Sequence, residues 1–286
     1  MKFTDTILFP VDTDSNYSGR LNLLNFLAKK LNAKVVLLTV LPDKIDNEVL
    51  RKKLHKAVES DLEKMAEKLK ASGTEVKELL VKYGKASEAI AAAGEQSDAG
   101  FILSESRDTG KQGSYNLGTV TMRLLRESEK PVWVTLPGQK TEVKNIICPT
   151  DFSKPADTAL DNAVMLAKIL DAKLSVLAVD ESLPAQNSDS WDKNDEKKFD
   201  AFKQEFQKYL EKFDTVGLDI TKQAETGEPH EVILNTIKEN GHDLLIMGTT
   251  GRTGLQRLFM GSVTEKVIRE VPCAFITTKS EDFLQL

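Results

Sequence analysis

The sequence has 286 residues, of which 40% are hydrophobic and 29% charged, and its formal net charge is −5. This composition is typical of a globular protein with room for two ordinary domains. The negative charge excludes a global basic field for binding nucleic acid or an anionic membrane. Aromatic residues make up only 6% and do not alternate with arginines, which argues against a base-stacking platform.

No uncharged apolar stretch approaches the ~20 residues that a membrane helix needs. The first residues, MKFTDTILFPVDTD, lack the long apolar core and the small-residue cleavage site of a signal peptide. Cys148 and Cys273 lie in the apolar runs NIICP and PCAFI, which predicts two buried, reduced thiols rather than a disulfide or a metal site. The three histidines, His55, His230 and His242, show no zinc spacing. We therefore expect a cytoplasmic protein without a nucleic-acid or membrane partner.

The sequence contains an internal repeat. TILFPVD at 6–12 returns as NIICPTD at 145–151, an offset of 139 residues that also carries Val40 onto Val179. Further on the offset is 143, and it relates the following positions: Gly84 and Gly227, Glu88 and Glu231, Gly118 and Gly261, Thr121 and Thr264, Arg126-Glu127 and Arg269-Glu270. Such matches indicate a tandem duplication of a domain-sized unit. We expect domains at 1–138 and 143–286, joined by the polar linker LPGQKTE at 136–142.

Strands and helices alternate in each unit. In the second unit, apolar runs and helical periodicity predict these elements in chain order: strand 145–149, helix 156–170, strand 174–179, a long helix through Leu210, strand 219–224, helix 230–239, strand 243–247, helix 262–270 and strand 273–277. Pro229 suits the first turn of its helix. The pattern predicts two tandem α/β domains, each an open, doubly wound, Rossmann-like parallel sheet with helices on both faces. Ligands of such sheets bind beyond the carboxyl ends of the strands.

A glycine-rich loop follows the fourth strand of the second unit. The segment GTTGRTGLQRLFMGS at 248–262 has the spacing G-x2-G-x9-G-S and leads directly into a helix. Backbone N–H groups and a helix N-terminus of this kind bind phosphate, and Ser262 would cap the helix or donate its hydroxyl to a phosphate oxygen. A flexible connection is the alternative. The patterns of the P-loop and of the dinucleotide fingerprint are both absent.

Four segments carry a family resemblance: CPTDFS at 148–153, LAVDE at 177–181, GEPHEVI at 227–233 and the long stretch at 243–273. The sequence resembles the universal stress protein family in its tandem two-domain form, across essentially the whole chain. The resemblance implies a bound adenine nucleotide, usually ATP (or ADP or AMP) and possibly with Mg²⁺, at the glycine loop of the second domain.

The same resemblance implies roles for individual residues. Asp151 would contact the ribose or adenosine, Pro149 and Thr150 would form the pocket floor, and the backbone of Val179 would read the adenine edge. The nucleoside would be bordered by Met247 and Gly248, and the phosphates held by Gly251, Arg252, Gly261, Ser262 and Val263. Two alternatives stay open: Asp151 as a cap of the following helix, together with Ser153 and Pro155, and Arg252 as a solvated side chain.

The first unit departs from this pattern at its loop. It keeps Asp12 and Val40, but Glu105 stands opposite Gly248, and Asp108 stands opposite Gly251. Two carboxylates would repel a phosphate, although a magnesium ion would offset part of their charge. We expect this copy of the site to be closed, so that one nucleotide binds per chain.

Two main classes of function remain, a regulatory protein that senses ATP or AMP, and a slow ATPase or nucleotidyl-transfer enzyme of the adenine nucleotide α-hydrolase-like group. A scaffold stabilised by nucleotide is a third. The loop at 248–262 has no acid, histidine or lysine, which favours a stress-response sensor over an enzyme. We also expect the final strands, 132–135 and 274–277, to pair as an internal pseudo-dimer, since each would otherwise leave an apolar edge. Edge pairing between chains would give a homodimer.

Overall fold

The computed structural model describes residues 6–12, 18–108, 115–138, 141–186, 188–249 and 260–278. The chain separates into two compact units, with the division between Glu142 and Val143. Each unit is built on a parallel sheet of five strands with helices between them.

The first unit contains the elements β1 (Thr6–Pro10), α1 (Ser18–Leu31), β2 (Lys34–Leu41), α2 (Glu48–Ala71), β3 (Val76–Tyr83), α3 (Ala86–Gln96), β4 (Phe101–Glu105), β5 (Arg107–Asp108), β6 (Tyr115–Asn116), α4 (Gly118–Glu127) and β7 (Val132–Thr135). Its sheet has the strand order β7-β4-β1-β2-β3, and β5 and β6 form a separate antiparallel pair.

The second unit contains β8 (Asn145–Thr150), α5 (Lys154–Leu170), β9 (Lys173–Asp180), α6 (Lys193–Leu210), β10 (Ile220–Thr226), α7 (Pro229–Asn240), β11 (Leu244–Gly248), α8 (Ser262–Glu270) and β12 (Ala274–Thr278). Its sheet has the order β10-β9-β8-β11-β12. From β8 the chain moves outward to β9 and β10, then returns to the other side of β8 with β11. The switch point therefore lies between β8 and β11, where ligands of this architecture bind.

The inner strands are apolar because both faces of each sheet are covered there. In β11, Leu244, Leu245 and Ile246 are completely buried, and Ile146 and Ile147 of the neighbouring β8 are equally inaccessible. Helices cover the sheet with apolar stripes, as in α5, where Ala159, Leu160, Ala163 and Ala167 are all buried. The prediction of a doubly wound parallel sheet is confirmed.

The backbone repeats at the offsets read from the sequence. Asn32 and Asp171, which are 139 positions apart, end α1 and α5 in the left-handed conformation with φ of 52° and 55°. Gly84 and Gly227, 143 positions apart, follow the third strand of each unit with φ of 127° and 117°. Glycine suits these last two positions because side chains disfavour such angles. The two units thus share their chain geometry as well as their sequence pattern.

Most predicted elements differ from the observed ones by one or two residues at their ends. Pro229 lies in the first turn of α7, as predicted. Cys148 and Cys273 are buried and free. Burial raises the pKa of both thiols above the ordinary range, in Cys273 to about 12, so neither is a reactive thiolate.

Candidate functional site

A cavity of about 790 Å³ lies at the switch point of the second unit. It is lined by the carboxyl ends of β8, β9 and β11 and by the first turns of α5, α7 and α8. Nine of the predicted site residues line it: Pro149, Thr150, Asp151, Val179, Met247, Gly248, Gly261, Ser262 and Val263. The other two, Gly251 and Arg252, lie outside the described residues. The strand ends converge because parallel strands present their carboxyl ends at the same edge of a sheet.

Asp151 is held by the start of α5. Its Oδ1 accepts hydrogen bonds from the backbone N–H of Ser153 at 3.1 Å and from the Ser153 hydroxyl at 2.5 Å. Ser153 is itself the N-cap, and its Oγ accepts from the N–H of Ala156 at 3.4 Å. The alternative in which Asp151 itself caps α5 is therefore wrong. Asp151 instead fixes the capping serine while it faces the cavity.

Phe152 has an unusual backbone conformation, with φ of 64°. A bulky side chain in the left-handed region carries strain, and such strain clusters at functional sites. The Phe152 ring packs against α6, with its centroid 5.5 Å from that of Phe202 and 4.9 Å from that of Tyr209. Both Phe152 and Phe202 line the cavity and form an aromatic wall there. The sequence analysis missed this wall, although the phenylalanines at 199, 202 and 206 follow helical spacing.

The charged side chains in the described lining are all acidic. They are Asp151, Asp180, Glu181 and Glu205, the last three of which the sequence analysis did not assign to the site. Asp180 Oδ1 accepts from the backbone N–H of Ser182 at 2.9 Å and from its hydroxyl at 2.6 Å. Carboxylates are good acceptors for hydroxyl groups, but they repel phosphate. Any anionic part of a ligand is therefore expected at the start of α8, which contributes no acidic side chain to the described lining.

The first turn of α8 presents backbone donors to the cavity. Gly261 is the N-cap, and Ser262 is the first helical residue, so the expectation that Ser262 caps this helix is wrong. The N–H of Gly261 donates to the carbonyl of Thr249 at 2.6 Å and is thereby occupied. The first N–H groups of a helix have no partner within it, and in α8 these belong to Ser262, Val263 and Thr264. Together with the helix dipole, they suit an anion.

Packing within the protein leaves no room for a side chain at Gly248. A Cβ atom at this position would lie 3.0 Å from the carbonyl oxygen of Pro155 and 3.2 Å from its carbonyl carbon. The end of β11 thus approaches the first turn of α5 too closely for a side chain. Thr264 strengthens the same corner, since its hydroxyl donates to the Gly248 carbonyl at 2.9 Å. The absence of a side chain at Gly248 is explained by this packing without reference to a ligand.

The first unit retains a cavity of about 740 Å³ at its own switch point. A cavity is thus present in this copy, and the expectation that it does not bind a nucleotide stays a prediction. Glu105 does lie in it, at the position equivalent to Gly248: Glu105 pairs with Thr135 in the sheet as Gly248 pairs with Thr278. The side chain of Asp108 is outside the described part of the structure.

Glu105 forms an ion pair with Arg20. Its carboxylate contacts the guanidinium of Arg20 on α1, and about a fifth of each side chain is exposed. Burial raises the pKa of the Glu105 carboxyl above its usual range, and the Arg20 charge opposes that rise. The predicted repulsion by Glu105 is thus partly offset by a residue that the sequence analysis did not assign to the site.

The described residues contain neither a candidate metal site nor a candidate membrane span. No group of three or more His, Cys, Asp or Glu side chains in the described ranges is arranged to hold a metal ion. Among the same residues, none of the helices combines the length and the apolar character required to cross a membrane.

Comparison with known proteins gives relatives that match about half of the chain. A universal stress protein from Methanocaldococcus jannaschii is 34% identical over 145 residues, covering 48% of this chain and 82% of the relative. A putative universal stress protein from Staphylococcus haemolyticus is 31% identical over 142 residues, covering 49% of this chain and 86% of the relative.

Solved structures are similar over nearly the whole chain. A universal stress protein from Archaeoglobus fulgidus has a TM-score of 0.68 at 22% identity, covering 97% of each chain. A putative universal stress protein from Pseudomonas aeruginosa has a TM-score of 0.69 at 17% identity, covering 98% of this chain and 94% of the other. At such identities these likenesses show the fold alone. The model of the universal stress protein family matches the sequence twice, over residues 4–135 and 142–279, and the chain therefore belongs to the universal stress protein family in its tandem two-domain form.

Proposed function

We propose that the cavity of the second unit binds an adenine nucleotide, ATP, and that the chain acts as a nucleotide-responsive regulator in the stress response. The observation that carries the proposal is the first turn of α8, whose N–H groups border a cavity with apolar and carboxylate walls. This combination matches the parts of a nucleotide. The phosphates take the helix N-terminus, the ribose hydroxyls take a carboxylate, and the base takes the apolar surface.

The residues have separate tasks in this arrangement. Asp151, already held by Ser153, accepts a ribose hydroxyl. Val179 and the pocket floor of Pro149 and Thr150 border the base, with the nucleoside flanked by Met247 and Gly248. Ser262 and Val263 donate backbone hydrogen bonds to the phosphates, and Gly251 and Arg252 complete their shell. Gly261 acts by giving room at the helix start, because its own N–H is used by Thr249.

The size and charge of the cavity fit this ligand under one condition. A volume of about 790 Å³ lies within the ordinary range for small-molecule sites. The described lining carries four carboxylates and no lysine or arginine. The triphosphate charge must then be balanced by the helix terminus, by Arg252 and by a divalent cation bound with the nucleotide. We therefore propose Mg²⁺-ATP as the ligand and expect binding to weaken when Mg²⁺ is withdrawn.

A regulatory role is favoured over turnover by the hydrogen bonds of Asp151. A general base must reach its proton directly or through one water. The Asp151 carboxylate instead accepts from two donors of Ser153 and, as proposed, faces the nucleoside. None of the acids in the described lining belongs to α8, which would hold the phosphates.

The test is calorimetric titration of the full chain with ATP and Mg²⁺, alongside identification of any nucleotide that co-purifies. We expect one nucleotide per chain. Gly251→Glu, which introduces an acid into the proposed phosphate loop, should abolish binding, and Val179→Trp should do so by filling the base side of the cavity. The matched control is Val40→Trp, the equivalent change in the first unit, which should leave affinity unchanged. Binding that survives both second-unit changes would refute the proposed site.

A further inference from the structure

The cavity of the first unit is similar in size and position to that of the second unit, but different charged residues line it. At about 740 Å³ it is close to the volume of its counterpart, and the equivalent strand ends and helix starts line it. Its wall is largely apolar, with contributions from Phe9, Val11, Leu38, Val40, Leu103 and Leu117. A cavity of this size and character is typical of small-molecule sites.

Two residues that differ from their counterparts in the second unit interact with each other. Glu105 occupies the position of Gly248, and Arg20 occupies the position of Ala159, which is completely buried on α5. Arg20 and Glu105 are ion-paired with each other, and both line the cavity. The pair has no net charge, so it changes what the cavity accepts without adding a free charge.

The remaining charge in the described lining is a single acid. It is Asp12, which is exposed at the end of β1. The β2 end of the cavity contributes Leu38 and Val40, and the β9 end of the other cavity contributes their equivalents Leu177 and Val179. The second cavity has Asp180 and Glu181 in addition. The described lining of the first cavity therefore carries one net negative charge, against four in the second.

An anionic ligand is disfavoured in this cavity for two reasons. Its charge would be repelled by the net negative charge of the described lining, which includes Asp12. If it drew Arg20 away from Glu105, it would leave a half-buried carboxylate without its partner, which is costly. A neutral ligand leaves the ion pair intact and gains affinity by covering the apolar wall.

We propose that the first unit binds an uncharged, largely apolar small molecule in this cavity, and that the Arg20–Glu105 pair makes the site selective against anions. The site is separate from the proposed nucleotide site and does not rest on it. The chain would then hold two chemically different ligands, one in each copy of the same fold.

The test uses two fluorescent dyes with the same aromatic frame. N-phenyl-1-naphthylamine is uncharged, and 8-anilinonaphthalene-1-sulfonate adds one sulfonate. Titrations are made without nucleotide on the Val179→Trp variant of the full chain, in which the second cavity is filled. We expect the neutral dye to bind with a stoichiometry near one and at least tenfold more tightly than the anionic dye.

Filling the first cavity should remove this binding. Val40→Trp, added to Val179→Trp, should weaken the neutral dye at least tenfold. Thr119→Trp is a second filling variant at an exposed position of the same lining, where a large side chain leaves the core untouched. Circular dichroism checks that each variant is folded.

The ion pair is tested by Glu105→Gln, which keeps the size of the side chain and removes its charge. It should raise the affinity for the anionic dye at least fivefold and change the neutral dye little. The proposal is overturned if the Val179→Trp protein does not bind the neutral dye, if both first-unit fillings leave binding unchanged, or if the two dyes bind equally well. Because no nucleotide is present, these results stand whether or not ATP binds the second unit.

Discussion

Gly248→Ala should destabilise the protein even without a ligand. The added Cβ would meet the backbone carbonyl of Pro155 at 3.0 Å and the Pro155 Cβ at 3.2 Å, both well inside ordinary contact distance. Neither group moves easily, because proline fixes its own backbone torsion and Pro155 lies in the first turn of α5, two residues after the Ser153 cap. Overpacking of this kind costs about 1–3 kcal/mol.

The assay is thermal unfolding of the full chain, followed by circular dichroism with and without Mg²⁺-ATP. For a unit of this size, a loss of that magnitude lowers the melting temperature by roughly 3–9 °C. Gly94→Ala on α3 is the matched control, since its Cβ would meet only side-chain atoms, the nearest being Ile102 Cδ1 at 3.4 Å. Within a helix this change should be neutral or stabilising by up to ~1 kcal/mol.

The reasoning separates a packing role from a ligand role. If Gly248→Ala has the same melting temperature as the wild type and loses only its nucleotide affinity, the contact with Pro155 does not explain the glycine. If it melts lower in the absence of nucleotide while Gly94→Ala does not, the packing explanation holds.

Four further outcomes are expected. Burial lowers the pKa of His242 below its ordinary 6.5. The free energy of unfolding should therefore decrease as pH falls through that value, by up to ~1.4 kcal/mol per pH unit. Denaturant titrations of His242→Gln should show a weaker dependence of stability on pH. Ser153→Ala should lower the free energy of unfolding by about 1 kcal/mol through loss of the cap of α5. Phosphate release from ATP should stay far below the ~1 s⁻¹ common among enzymes, and faster release that disappears in Gly251→Glu would contradict the regulatory role. Pairing of the final strands stays a prediction, and hydrogen exchange that finds the amides of either strand unprotected would argue against it.

The sequence predicts the fold well because the duplication shows the pattern of each element twice. Each apolar strand run is seen twice, so the element order and most boundaries follow from periodicity and offset alone. The convergence of Asp151, Val179 and Gly261 also follows, because parallel strands bring their carboxyl ends to one edge.

Contacts between distant positions are what the sequence does not predict. Nothing in the residue pattern reveals that Gly248 is pressed against Pro155, so its small size is interpreted as room for a ligand. The left-handed backbone of Phe152 and the contact of its ring with Tyr209 on α6 are likewise not predicted by the residue pattern. The N-cap of α5 is ambiguous in sequence because Asp151 and Ser153 are equally suited to it.

The Arg20–Glu105 pair shows why position-by-position comparison of the repeats misjudges the first unit. The framework at this corner is unchanged: the N–H of Ser106 donates to Thr135 at 2.9 Å, and that of Thr249 donates to Thr278 at 3.0 Å. On that framework, Glu105 alone would place an uncompensated carboxylate in a half-buried corner, and Arg20 alone would place an uncompensated cation there.

Each of these changes is costly alone and tolerable with the other, because burial penalises an unpaired charge far more than a paired one. The two positions must therefore be considered together, although 85 residues separate them in the sequence. Considered singly, Glu105 indicates a blocked anion site. Considered with Arg20, it is one half of an ion pair that lines a cavity of the first unit.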